Sequence, residues 1–204
     1  MAVTTQVEPI TDAVHLCTDM QNIFARGHIW ETPWMERVLP RIVEIAARYP
    51  ARTVFTRFIT PVHADDRPGR WRRYFRKWQR ATRAELPASE LELVPALRRF
   101  APPAEIIDKP AYSAFRESPL ASFLSESGIG TLVVTGAETD VCVLATVLDA
   151  VDRGFRVVIV EDALCSSSDA GHDALMTLYR TRFSEQIELI KAAELPALWP
   201  DDGA

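Results

Sequence analysis

Cysteine is scarce here: Cys17, Cys142 and Cys165 are an odd number, and no two form a Cys-x-x-Cys pair. That scarcity argues against a disulfide framework, a structural zinc site and a dithiol redox motif. Long apolar runs are also missing, and none approaches the roughly 20 residues needed to cross a bilayer. The polar stretch Met1 to Thr11 lacks the apolar core of a secretory signal, so the expected location is cytoplasmic and no membrane partner is expected. No Gly-x-Gly-x-x-Gly follows the first strand-like segment, which removes the main signature of a dinucleotide site. The chain has no repeat, low-complexity tract or linker to divide it, and 204 residues fit one domain, 1–204, with a sizeable core.

What is present is ordinary in bulk, with 48% hydrophobic and 25% charged residues. The net charge of −5 conceals one basic stretch, in which Arg67, Arg70, Arg72, Arg73, Arg76, Lys77, Arg80 and Arg83 follow one another. In an acidic chain this reads as a solvated or subunit-facing helix, or as an attractor of an anionic substrate, and not as a nucleic-acid site. Within it Trp71, Tyr74, Phe75 and Trp78 fall at helical spacing, an aromatic stripe suited to core, to a pocket wall, or to a homo-oligomer interface.

Strand and helix patterns alternate along the chain. Strands are expected at Ala13–Asp19, Arg52–Phe58, Glu105–Asp108, Thr131–Thr135, Phe155–Glu161 and Gln186–Ile190. Helices are expected at Pro33–Tyr49, Trp71–Arg83, Pro119–Ser127, Thr139–Arg153 and Ser168–Phe183, with Gly128, Gly130 and Gly154 as stops. Six apolar strands separated by helices imply an α/β protein, a three-layer α/β/α sandwich around a parallel sheet. The segment 59–103 is longer than a simple crossover requires and reads as an inserted lid or binding loop.

In such a sheet, ligands bind beyond the carboxyl ends of the strands. Three ionisable side chains fall at those ends: Asp19, Lys109 and Cys142. Singly each has a plainer role, as turn cap, solvated cation or small buried hydrophobe. Together a carboxylate, an ammonium and a thiol supply a base, a thiolate-stabilising cation and a nucleophile. Cys142 also begins a helix, where the dipole is expected to lower its pKa.

These residues carry a family resemblance. Asp19-Met20-Gln21-Asn22-Ile23-Phe24 resembles the Asp-x-Gln-Asn-x-Phe opening of the isochorismatase-like cysteine hydrolases. Lys109 to Phe115 is similar to that family's Lys-x-x-x-Ser-x-Phe segment, and Gly136 to Val143 to its Gly-x-x-Thr-x-x-Cys nucleophile loop. Glu161 to Ser168, with His172, also fits, and the whole match runs from about Ala13 to Ile190. The resemblance implies strand order 3-2-1-4-5-6 and a cis peptide at Ala137–Glu138. It also implies an oxyanion hole from the backbone N–H groups of Glu138 and Cys142. The implied chemistry is attack by the Cys142 thiolate on an amide or ureido carbonyl, with Asp19 as base and acid and Lys109 as the stabilising cation.

Departures from the pattern narrow that expectation. Arg57-Phe58 stands where nicotinamidases of the family place Arg-Asp, and His63 has no histidine nearby, so no metal or other cofactor is expected. Isochorismatases proper cleave a vinyl ether without a cysteine nucleophile, whereas the presence of Cys142 with Lys109 favours C–N hydrolysis. The expected substrate is a small amide, carbamoyl or ureido compound. Phe24 and Tyr112 are candidate pocket walls, and Arg57 is either a partner for a substrate carboxylate or half of a structural ion pair. His172, Cys17 and Cys165 are read as structural.

Overall fold

The computed structural model describes residues 7–200. Six parallel strands form its centre: β1 (Ala13–Thr18), β2 (Thr53–Phe58), β3 (Glu105–Lys109), β4 (Thr131–Ala137), β5 (Arg156–Cys165) and β6 (Ile187–Ile190). Their order is β3-β2-β1-β4-β5-β6, as the resemblance implies. Every residue of β1 and β4 is buried, which is why both read as apolar on each face.

The helices are α1 (Met35–Arg48), α2 (Gly69–Lys77), α3 (Pro95–Arg98), α4 (Leu120–Glu126), α5 (Leu144–Asp152), α6 (Asp169–Arg182) and α7 (Leu195–Leu198). One face of the sheet is covered by α1, whose Val38, Ile42, Ile45 and Ala46 join Cys17, Phe55 and Val133 in one apolar cluster. The other face carries α4, α5 and α6, where Leu124, Val147 and Met176 pack with Leu16, Val134 and Ile159. No helix among the described residues is long and apolar enough to cross a membrane.

Three boundaries differ from the sequence expectation by more than two residues, each for a local reason. β5 continues past Glu161 to Cys165, because Leu164 and Cys165 pair with Gly136 and Ala137 beyond an irregularity in register. Glu161 and Asp162 made that stretch look like a strand end. Both are instead held by ion pairs, to Arg180 and Lys191 and to Arg41. α2 starts earlier and stops at Lys77 rather than Arg83, since the Arg83 and Ala84 N–H groups bond back to Pro61 and Val62. The helix after β4 opens with a wide π-type turn, Thr139–Val143, before α5 proper.

The sheet switches direction of travel between β1 and β4, and the ends of these neighbours form the crevice of an open α/β sheet. Gly136 permits their close approach. Its φ is +106°, and a Cβ there would lie 2.1 Å from the Thr18 carbonyl oxygen.

Candidate active site

Asp19 follows β1 in the left-handed region, at φ +50°, an uncommon conformation for a non-glycine residue. Its geometry is held by Thr56 of β2, whose Oγ1 donates to Asp19 Oδ1 at 2.6 Å and accepts from the Asp19 N–H at 3.2 Å. Lys109 ends β3 two strands away, and its side chain crosses the Phe58 ring, with Nζ 5.2 Å from the ring centroid. It arrives 2.7 Å from Asp19 Oδ2, and both side chains are fully buried. The Lys109 Nζ also donates to the carbonyls of Ala111 and Tyr112, each at 3.0 Å.

Cys142 sits in the wide turn after β4, where both Asp19 and Lys109 are near enough to act on its thiol. The three side chains proposed from strand ends are therefore brought together. Burial pushes the thiol up, Lys109 pulls it down and the Asp19 carboxylate raises it again, leaving it well above its ordinary value. This corrects the expectation of a lowered thiol pKa. Cys142 is only 5% exposed and near a carboxylate, and these two effects outweigh the helix terminus. Lys109 also moves up, but against its burial: burial lowers it, and Asp19 and Cys142 outweigh burial and hold the ammonium above its usual value.

The peptide Ala137–Glu138 is cis. Beyond it, the Glu138 carbonyl accepts from Val141 and Val143 at 3.1 and 3.0 Å. No such bond to that carbonyl comes from the intervening N–H of Cys142. Thr139 Oγ1 lies 2.9 Å from His172 Nδ1 and donates to the Cys165 carbonyl, so His172 braces the turn, as its structural reading expected. Cys17 and Cys165 are fully buried, and burial drives both thiols upward, Cys17 to about 12. Neither can form a thiolate easily.

Above Cys142 opens a cavity of about 610 Å³. Phe24 and Tyr112, the two candidate wall residues, both line it. Arg57 does not. It makes a bidentate pair with Asp108, at 2.7 and 2.9 Å, and a bond to Glu92 at 2.8 Å. Arg57 lies in β2 next to Phe58, so strand alternation turns it away from the cavity that Phe58 lines. The aromatic stripe divides its work: Phe75 is buried core, Trp71 packs on Tyr112 at 4.7 Å, and Tyr74 and Trp78 line the cavity. The stripe thus supplies core and cavity wall within the chain.

Sequence reasoning missed Trp30, His28 and Glu31, which also line the cavity. They sit in an irregular segment with no periodic signal, and only the fold brings them over Cys142. It also missed how the Asp-x-Gln-Asn motif works. Gln21 bonds the Phe58 backbone in both directions and donates to the Leu91 carbonyl at 2.7 Å, while Asn22 Nδ2 donates to Ser89 at 2.8 Å. These two amides fasten segment 59–103 to the strand ends. His63 is exposed, and among the described residues no group of three or more His, Cys, Asp or Glu is placed to hold a metal.

Comparison with known proteins identifies the family. The isochorismatase domain matches residues 13–190. The chain belongs to the isochorismatase family. A protein of Arabidopsis thaliana named as a probable inactive nicotinamidase is 28% identical over 78% of the chain and 83% of its own length. N-carbamoylsarcosine amidase of an Arthrobacter species is 29% identical over 72% of the chain, a match that spans 56% of that enzyme. An uncharacterised isochorismatase-family protein of Bacillus subtilis is 36% identical over 40% of the chain and 44% of its own length. Among solved structures, a cysteine hydrolase of Pseudomonas syringae superposes with a TM-score of 0.79, covering 96% of both chains at 22% identity. The family and its amidase relatives make this an isochorismatase-family hydrolase fold with amidase homologues.

Proposed function

We propose that this protein hydrolyses a C–N bond of a small amide or carbamoyl compound through a thioester on Cys142. The observation that carries the proposal is the contact of Cys142 with the buried Asp19–Lys109 pair beneath an open cavity. A buried thiol with a raised pKa needs a base in direct contact, and Asp19 is one.

In the proposed cycle, Asp19 takes the thiol proton as Cys142 Sγ bonds to the carbonyl carbon. Lys109 offsets the charge that then accumulates among the three groups. Negative charge on the carbonyl oxygen is held by the N–H groups of Glu138 and Cys142. Asp19 returns its proton to the leaving nitrogen, the C–N bond breaks, and a thioester remains. Water, deprotonated by Asp19, then adds to the thioester, and Cys142 leaves and recovers its proton. Every proton is carried by the chain's own side chains, so activity is expected to persist in the presence of a chelator.

The test is ammonia release from a panel of small amides and carbamoyl compounds, with intact-mass measurement of the enzyme. An acyl adduct on Cys142, and loss of both adduct and turnover in Cys142→Ala, are the expected results. Full turnover by Cys142→Ala would falsify the proposal and favour vinyl-ether cleavage, which needs no thiol. If chelator alone removes activity, the metal-independent route is wrong.

A further inference from the structure

The cavity above Cys142 has a chemical bias that the catalytic groups do not require. Six aromatic rings line it: Phe24, Trp30, Phe58, Tyr74, Trp78 and Tyr112. Trp30 is their hub, with its centroid 5.9 Å from Phe24, 6.0 Å from Phe58, 6.2 Å from Tyr74 and 6.0 Å from Trp78.

Charge on the wall has one sign. Glu31 accepts from the Gly27 N–H at 2.9 Å, and Glu138 accepts from the Ser167 N–H at 2.9 Å and from its hydroxyl. Neither carboxylate has an ion-pair partner among the described residues. His28, the one imidazole on the wall, lies 2.6 Å from Glu90 and is turned to that carboxylate. No arginine or lysine lines the cavity; Lys109 is buried against Asp19, and the Lys77 ammonium lies outside the lining, 5.6 Å from the Trp78 ring centroid. Four arginines of the surrounding segments are engaged elsewhere: Arg57 with Asp108, Arg67 with Glu117, and Arg72 and Arg76 with Asp65. Burial first, and then the negative charge of Glu138 among other groups, keeps the Tyr74 and Tyr112 phenols protonated as hydrogen-bonding walls.

An anionic substrate would meet carboxylates and the negative faces of aromatic rings with no cation in the wall to receive it. A cation meets the reverse, since ring faces and carboxylates both attract it. Resting on the hydrolase reading above, we infer that the substrate is an amide whose non-reacting part is cationic, an ammonium on an apolar body, and that carboxylated ureido acids are rejected.

Two measurements separate this inference from the hydrolase reading itself. In the first, Cys142→Ala is titrated with benzyltrimethylammonium and with phenylmethanesulfonate, followed by tryptophan fluorescence. The cation is expected to bind at least about tenfold more tightly, and Glu31→Gln in that background to weaken it several-fold. Equal or tighter binding of the anion, no saturable binding of either, or an unchanged cation affinity in Glu31→Gln overturns the inference. In the second, the active enzyme is offered (trimethylammonio)acetamide and malonamate, which differ in the sign of charge beside the same amide. Preferential turnover of the first supports the inference, and preferential turnover of malonamate overturns it while leaving the hydrolase reading intact. Selective cation binding with no amide turned over would do the opposite.

Discussion

At Cys142, two physical effects of opposite sign meet, and burial wins. The free protein is expected to hold a neutral thiol near neutral pH, with no thiolate absorbance at about 240 nm, and to alkylate slowly. Asp19 raises the thiol pKa by its charge, so Asp19→Asn is expected to lower that pKa and speed alkylation. The same variant is expected to lose turnover by about 10²–10⁴-fold, because the proton acceptor is gone. A turnover loss without the pKa fall would show that the two groups are not in contact. Lys109→Met acts differently. It strands the Asp19 carboxylate in a fully buried position, a loss of about 3–5 kcal/mol in denaturant titration. Identity and strand-end placement of Asp19, Lys109 and Cys142 were legible in the sequence. The direction of the thiol shift was not, because it depends on which neighbours share the buried volume.

Elements explain how those side chains meet. Gly136 lets β4 press against the end of β1, and Gly136→Ala drives a Cβ into the Thr18 backbone, which has no rotamer to move aside. Destabilisation above about 4 kcal/mol is expected, or failure to accumulate folded protein. A loss below 1 kcal/mol would mean the strands separate easily. Gln21 is the second device. Its amide joins the end of β2 to segment 59–103, and Gln21→Ala leaves the Phe58 N–H and the Leu91 carbonyl without that partner. A loss of about 1–3 kcal/mol is expected, with a larger rise in KM than fall in kcat, because the segment carries cavity walls. Strand and helix identities were readable from apolar runs and glycine stops. The ends of α2 and β5 were not, since backbone bonds to Pro61 and Val62 and pairing with Gly136 and Ala137 set them.

Across the whole molecule, the sheet carries a titrating group far from the chemistry. His15 of β1 is fully buried between Thr53 of β2 and Thr135 of β4, with ring nitrogens at 3.2 and 2.8 Å from their hydroxyls. Burial lowers its pKa from 6.5 to about 3. Between those values the unfolded chain binds a proton that the folded chain refuses, so stability falls as pH drops below 6.5. By about pH 4.5 this group is expected to remove about 2–3 kcal/mol relative to neutral pH. Urea titrations across that range should show the slope, and His15→Gln should flatten it; an unchanged slope would remove His15 as the cause.

The sequence by itself determined the class of fold, the order of its elements and the placing of Asp19, Lys109 and Cys142 at strand ends. Strand runs, helix stops and chemistry at strand ends are local properties of a chain. Only the tertiary structure decided that Lys109 reaches Asp19 across Phe58, that Arg57 is spent on Asp108, and that Trp30 and Glu31 overlook Cys142. Those outcomes depend on distance and burial between segments far apart in the chain. The scarce cysteine illustrates both halves. Its position after β4 was local information, but its protonation belongs to the carboxylate and the ammonium that the fold brings beside it.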